Sequence, residues 1–382
     1  MIFESFFCPD SLAVIGAARE EGKVGHTIVD NIIASKYKGD MFLINPKADE
    51  IHGIKCYDSV LDIPKDIELA IIVIPSRFIS KVIEECAEKN CRFAIIISAG
   101  FKETGIKGAI MERRLIEKAK TLDIRILGPN CLGMIDTTCP LNASFSANMP
   151  KRGDIGFITQ SGALGTAVLD WAKSNKIGFS KIVSLGNKAD ISENDLFEEW
   201  VQDNKTKVIS AYIEGVKDGK EFLRISSKVT KKKPIIIIKS GNTDAGAKAV
   251  SSHTGTLAGS SKAYDAAFKQ SGIIRANTLK QLFDYSIALS GQPIPKGNNV
   301  AIITNAGGPG IMATDACEQN NINIANLDVK TIEKLKKFLP PAANFYNPVD
   351  VLGDALADRY EKTLAVIEKD KNINAIIVIL TP

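Results

Sequence analysis

The chain predicts an α/β fold built on parallel, doubly wound sheets. Short apolar, strand-like runs recur along it with amphipathic helical segments between them. A seven-residue pattern that closes a strand and opens a helix occurs twice, as TQSGALG at 159–165 and TNAGGPG at 304–310. At 382 residues with 45% hydrophobic content, the chain is long enough for two or three cores.

The first unit takes Leu12–Ile15, Met41–Ile44, Leu69–Ile74, Phe93–Ile97 and Arg125–Leu127 as strands, with helical segments such as Arg77–Lys89 between them. It is expected to span 1–130. Pro150 and Lys151 open a second unit, 150–290, with strands at Ile155–Thr159, Lys181–Leu185, Val208–Ile213 and Pro234–Lys239. The turn-rich GQPIPKGNN at 291–299 separates a third, 297–382, whose first strand is Val300–Thr304. Ala375–Leu380 reads as a buried strand, yet Pro382 follows with no covering helix. The third unit is therefore expected to be truncated and the chain to be part of a longer polypeptide.

Composition removes several classes of function. The longest apolar runs fall far short of the roughly 20 residues of a membrane-spanning helix. The opening MIFESFFCPDS has an acidic residue and no basic stretch before an apolar core, so no secretory signal is read and a cytoplasmic location is expected. Seven cysteines without a CxxC pair or a Cys/His ladder predict reduced thiols and argue against structural zinc, and no metal site is expected. A net charge of +4 is small for this length, and Lys231–Lys233 read as a solvated turn, so no nucleic-acid surface is expected.

The segment SSHTGTLAGSS at 251–261 holds one of three histidines, His253, among small residues and glycines that let the backbone approach a ligand closely. An apolar strand precedes it, and a helix is expected from Ala258 to Phe268. His253 then lies in a loop entering a helix, where unpaired amides suit an anion and an imidazole can carry a phosphoryl group. Ser161 and Gly162 stand at an equivalent strand-to-helix turn and are the phosphate-cradling candidates. In the third-unit copy Ala306 replaces the serine, and there the glycines are read as making the tight turn only.

The first unit lacks the dinucleotide fingerprint. After Gly16 the second and third glycines of GxGxxG are missing, and the second strand ends in Asn45, Pro46 and Lys47 where an NAD site needs an acid. Lysine cannot accept from a ribose hydroxyl but suits a phosphorylated one. With Gly22, Lys23, Val24 and Gly25 laid along a pyrophosphate, a phosphorylated adenosine cofactor such as coenzyme A fits better than NAD.

Taken together, the loop at Gly22–Gly25, NPK at Asn45–Lys47, ISAGF at Ile97–Phe101, LGPNCLG at Leu127–Gly133, TQSGALG and the SHTG segment resemble the alpha part of nucleoside-diphosphate-forming acyl-CoA synthetases, relatives of the succinyl-CoA synthetase alpha subunit. The resemblance covers essentially the whole chain. It implies a Rossmann-like CoA-binding domain followed by flavodoxin-like domains of the succinyl-CoA synthetase type. It further implies that His253 is phosphorylated, that Glu214 in YIEG holds its ring, that Gly255 helps bind phosphate, and that Ser98, Gly100, Asn130 and Cys131 lie by the CoA thiol. Thr166 departs from the tyrosine found there in succinyl-CoA synthetases, so a short-chain acyl-CoA, by default acetyl-CoA, is the expected substrate.

The implied reaction converts acyl-CoA, phosphate and ADP to a carboxylic acid, CoA and ATP through an acyl phosphate and a phosphohistidine. Direct hydrogen bonds to the phosphoryl group, roughly 1.5 to 3 kcal/mol each, outweigh a helix dipole of about 0.3 to 1 kcal/mol, so the amides at Ser161–Gly162 and after His253 are expected to carry its charge. ADP or ATP with Mg would bind an ATP-grasp beta subunit or fused domain, in an oligomer; no such module is read in these residues. The alternatives are a CoA-binding regulatory module, the synthetase-like domain of a protein acetyltransferase, and a redox-sensing nucleotide-binding protein.

Overall fold

Apolar runs too short for helices and buried on both faces are what parallel sheets require, and this chain builds its sheets from them. The computed structural model describes residues 3–147, 149–243, 245–246 and 260–382. It divides into two units, Met1–Gln292 and Pro293–Pro382.

The first unit holds two seven-stranded sheets. The first comprises β1 (Ser11–Ile15), β2 (Asp40–Ile44), β3 (Glu50–Ile51), β4 (Ile54–Tyr57), β5 (Leu69–Ile72), β6 (Phe93–Ile96) and β7 (Arg125–Leu127), in the order β3-β4-β2-β1-β5-β6-β7. Apart from the antiparallel β3–β4 pair all its pairings are parallel. Without β3 the order is 3-2-1-4-5-6, the Rossmann arrangement, whose direction reverses between β1 and β5. Helices α1 (Glu4–Phe7), α2 (Val24–Ala34), α3 (Ser76–Glu88) and α4 (Ile106–Thr121) accompany it. The segment FESFF is an anchor: Phe3, Phe6 and Phe7 are buried, and the Phe7 ring lies 6.1 Å from that of Trp200. Each such side chain contributes about 1.5 to 3 kcal/mol on burial.

The second sheet contains β8 (Gly133–Asp136), β9 (Leu141–Ser144), β10 (Arg152–Thr159), β11 (Phe179–Ser184), β12 (Val208–Ile213), β13 (Ile235–Lys239) and β14 (Ile274–Arg275), ordered β14-β13-β12-β10-β11-β8-β9. Its parallel part reads 2-1-3-4-5, the flavodoxin arrangement, reversing between β10 and β12. The hairpin β8–β9, unassigned from sequence, adds antiparallel strands at its edge. Among the described residues, helices α5 (Gly162–Ser174), α6 (Glu193–Trp200), α7 (Gly219–Val229), α8 (Ser261–Ser271) and α9 (Leu279–Gly291) accompany it. The helix expected from Ala258 to Phe268 corresponds to α8; Ala258, His253 and Gly255 lie outside the described residues.

In the second unit, β15 (Asn299–Thr304) pairs in parallel with β16 (Asn323–Ile324), β17 (Val349–Asp350) and β18 (Ala375–Ile379), accompanied by α10 (Gly307–Gln319), α11 (Val329–Lys336) and α12 (Ala357–Ile367). β18 is not the buried strand expected: Val378 is 45% and Leu380 72% exposed. An apolar run reports the tendency to be covered, and here one face is not covered.

The expectation of reduced thiols is corrected as well. Cys8 and Cys139 form a disulfide across 131 residues, joining the segment after α1 to the β8–β9 turn, while Cys56, Cys86, Cys91, Cys131 and Cys317 are free and buried. No local spacing announces such a pair, because only the fold brings the residues together.

Candidate active site

Open parallel sheets bind ligands outside the carboxyl ends of their strands, where the strand order reverses. At the first reversal Gly16 leaves β1 with φ 95°, and a Cβ there would stand 2.4 Å from the Val73 carbonyl oxygen. A Cβ on Gly25 would come within 2.1 Å of the Gly16 oxygen, so α2 begins directly against the strand exit. Only glycine permits both approaches. Lys23 precedes α2 in extended conformation without a side-chain cap, leaving the first helix amides of Val24 and Gly25 turned outward. Gly22 has φ 81°, and a Cβ there would meet open space. Asn45 Nδ2 donates to the Ala17 oxygen at 2.8 Å, and Arg19 Nη2 donates to the Lys47 oxygen at 2.5 Å, which draws exposed Pro46 and Lys47 to this edge. Arg19 is a cation that the sequence reading did not single out.

The second reversal opens into a cleft of about 740 Å³. Asn130, Cys131 and Lys102 line it beside Gln160, Ser161, Gly162 and Glu214. Ser161 caps α5, its hydroxyl accepting from the Leu164 amide at 3.2 Å. The Gly165 amide bonds the Ser161 carbonyl, so the Gly162 and Ala163 amides are left at the open helix end. Gln160 ties the two reversal loops together. Its Oε1 accepts from the Glu214 and Gly215 amides, and its Nε2 donates to the Gly215 oxygen at 3.1 Å. Glu214 is thereby held across from Ser161 at the end of β12.

Asn130 adopts φ 57°, a left-handed conformation that asparagine tolerates. It meets Gly186 after β11, where a Cβ would stand 2.4 Å from the Asn130 and Pro129 oxygens. Cys131 is 3% exposed, its Sγ points at the Ile96 oxygen at 3.4 Å, and burial pushes its thiol up to about 12. It is a neutral wall of the cleft, not a thiolate. Ser98 and Gly100 lie outside the cleft lining: Ser98 donates to the Ile74 oxygen at 2.6 Å, and the Gly100 amide donates to Glu103 at 2.5 Å.

The charged residues of this cleft were largely missed from sequence. Lys188 is buried, ion-paired with Glu193 at 2.8 Å and donating to the Gly215 oxygen at 2.7 Å. Lys102 donates to the Asn187 carbonyl. Burial holds Lys102 below the ordinary lysine value and nearby Lys188 adds to the push, while Glu112 and Glu103 oppose it. Crowded ammonium groups in a recess favour an anionic ligand. Asn187 is the polar joint between the halves of the cleft, donating to Glu103 at 2.6 Å and to Glu112 at 2.7 Å and accepting from Asn130 at 3.3 Å. The signal in the sequence was LGNKAD, a polar run at a strand exit beside the reversal.

Three family models match consecutive parts of the chain: a CoA binding domain at 10–137, a succinyl-CoA ligase like flavodoxin domain at 152–289 and a ligase-CoA domain at 300–381. An ADP-forming acetate–CoA ligase I of Archaeoglobus fulgidus is 50% identical over 99% of this chain, which spans 55% of that protein, about half the length of the curated relative. The alpha subunit of the ADP-forming acetate–CoA ligase II of Pyrococcus furiosus is 44% identical over 99% of the chain, which covers 82% of the subunit. The structure of a dinucleotide-forming acetyl-coenzyme A synthetase 1 from Ca. Korarchaeum cryptofilum, in complex with phosphate and ADP, superimposes with a TM-score of 0.94 at 40% identity, covering all of this chain and 82% of the other. The order of domains, the two reversal sites and these similarities agree, and the chain belongs to the ADP-forming acyl-CoA synthetase family, in the part that corresponds to its alpha subunits.

Proposed function

We propose that this chain is the acyl-transferring and phosphohistidine-forming part of an ADP-forming acetate–CoA ligase. The observation that carries the reading is the cleft at the second strand reversal, where the open α5 amides, Glu214, buried Lys188 and half-buried Lys102 face one recess beside the Asn130–Cys131 loop. Coenzyme A would lie along the first reversal, its pyrophosphate on the α2 amides and its phosphorylated ribose near Lys47, with the thioester in the cleft. One oxygen of inorganic phosphate attacks the thioester carbonyl carbon, the carbon–sulfur bond breaks, and CoA leaves to give an acyl phosphate. An imidazole nitrogen of His253 then attacks the phosphorus and the carboxylate departs.

For that attack the nitrogen must be unprotonated; Glu214, accepting from the other ring nitrogen, fixes the tautomer and steadies the cation. The helix-start amides of Gly162 and Ala163 donate to the phosphoryl oxygens, and those around Gly255 are assigned the same task. The placement of the flanking chain supports His253 in this role. β13 is parallel to β12 and ends at Lys239, so the segment towards α8 leaves from the same sheet edge as Glu214. Phosphohistidine would pass its group to ADP with Mg on an ATP-grasp beta subunit or fused domain. Acetyl-CoA is the proposed substrate, three domains at 1–130, 150–290 and 297–382 the proposed division, and the cytoplasm the proposed location. No described helix is long and apolar enough to cross a membrane.

The first half-reaction tests this reading without the partner. Mixing the chain with acetyl-CoA and phosphate should yield free CoA and acetyl phosphate. A chain that binds CoA tightly and forms neither is a CoA-binding regulatory module, and the reading fails.

A further inference from the structure

Two of the chain's three histidines face one carboxylate at a place remote in sequence from every residue assigned to the cleft. His26 and Asp30 are one turn apart on α2 and share a face. His52 projects from the turn between β3 and β4, where it adopts φ 52°. His26 Nε2 lies 3.2 Å from Asp30 Oδ2 and His52 Nε2 lies 2.7 Å from Asp30 Oδ1. All three ligand atoms fall within 4.8 Å of one another.

The hydrogen bonding of His26 fixes which ring nitrogen faces the carboxylate. Its Nδ1 stands 3.0 Å from the Ala18 carbonyl oxygen, an acceptor only, so Nδ1 carries the proton. Nε2 is then the ring nitrogen left facing a carboxylate oxygen 3.2 Å away, and in the neutral ring its lone pair points to the place where a cation shared with Asp30 would sit. A backbone carbonyl on the remote nitrogen is also how proteins orient a metal-ligating histidine. The side chain of His26 is only 12% exposed, so the ring is held in this pose, while His52 and Asp30 are reachable at 38% and 45%.

We propose that His26, Asp30 and His52 form a divalent transition-metal site, with Zn²⁺ as its fitting ion. Two imidazoles and one carboxylate suit zinc and its neighbours and not Mg²⁺ or Ca²⁺, which require oxygen shells. In a tetrahedral zinc centre with bonds of about 2.0 to 2.1 Å, ligand atoms stand roughly 3.3 Å apart. The His26–Asp30 spacing of 3.2 Å already matches one edge of that tetrahedron, and the exposed turn bearing His52, whose Nε2 now meets the other carboxylate oxygen, would shift to bring the third ligand to the same spacing. A water completes the fourth position. Bound metal would clip α2, which starts within the Gly22–Gly25 segment, to the β3–β4 turn. The sequence showed no motif for it, because His52 lies 22 residues beyond Asp30 and only the fold closes the gap.

The test is titration of the chelator-stripped chain with Zn²⁺ by calorimetry and with Co²⁺ by visible absorption. One equivalent of Zn²⁺ should bind, and Co²⁺ should show the intense bands of a four-coordinate ion. His52→Gly keeps the turn, because glycine accepts the left-handed backbone, and Asp30→Asn keeps the shape of the side chain. Each should weaken binding at least about tenfold, the loss expected even for an outer-shell partner, with unchanged circular dichroism. His253→Ala should bind as the parent does. No uptake by the parent, uptake unaltered in both ligand variants, or uptake lost in His253→Ala would each overturn the assignment.

Discussion

The loops at 159–165 and 304–310 share a scaffold and differ in what the scaffold presents. In the first, the Thr159 hydroxyl donates to the Ser161 oxygen at 2.8 Å and accepts the Ser161 amide at 3.1 Å; in the second, Thr304 does the same to Ala306 at 2.8 and 3.0 Å. The last glycine of each packs on the threonine methyl, where a Cβ would stand 3.2 Å away at Gly165 and 3.0 Å at Gly310. Only the first copy caps its helix by a side chain, Ser161, and Ala306 supplies none. The acids nearby differ too. Glu214 at the end of β12 lines a cleft, whereas Asp350 on β17 accepts from the Leu352 amide at 2.8 Å and serves its own backbone. The turn is therefore architecture, and reactivity depends on what the neighbouring strand ends deliver.

The comparison breaks most sharply at Glu214. Glu214→Gln should slow phosphoryl transfer to the chain by about 100-fold or more, the range for a positioned acid–base partner, with unchanged circular dichroism. Rapid-quench measurement of phosphate incorporation checks it, and a rate within a fewfold of the parent would make Glu214 a bystander. Ser161→Ala should remove the cap and cost about 1 kcal/mol, read as a lower unfolding midpoint of the first unit in urea. The reciprocal Ala306→Ser should raise the stability of the second unit by up to about 1 kcal/mol and add no phosphate to the chain. Phosphate gained there would show that the serine, not its neighbours, makes the site.

The smallest effect concerns the joint beside the first loop. Burial raises the Glu103 carboxyl, but hydrogen bonds from Asn187 and from the Phe101 and Gly100 amides outweigh it and hold the group below its ordinary value of 4.5. Its stabilisation is then fully present above that value and is lost as pH falls through the lowered one. Glu103→Gln should be less stable than the parent at pH 7, and the gap should narrow below pH 4.5; a gap independent of pH would remove the carboxylate from the account.

The parallel strands were legible because burial on both faces leaves near-continuous apolar runs such as Leu69–Ile72 and Ile235–Lys239. The hairpin β8–β9 was not, because GMID and LNAS mix polar and apolar residues that are buried by sheet pairing and not by composition. Glycines required by close approach, Gly16 and Gly25, could be singled out, but the contacts that require them could not. Asn187 and Gln160 escaped because their partners lie far away in sequence: Asn187 meets Glu103 across 84 residues and Gln160 meets Gly215 across 55. Cys8–Cys139 escaped for the same reason.

The central claim is that the first loop serves a phosphohistidine. Intact mass after incubation with acetyl-CoA and phosphate, comparing the chain with His253→Ala, addresses it most directly. The account predicts one acid-labile phosphoryl group on the parent and none on the variant; a parent that releases CoA yet stays unmodified, or a variant modified equally, would contradict it.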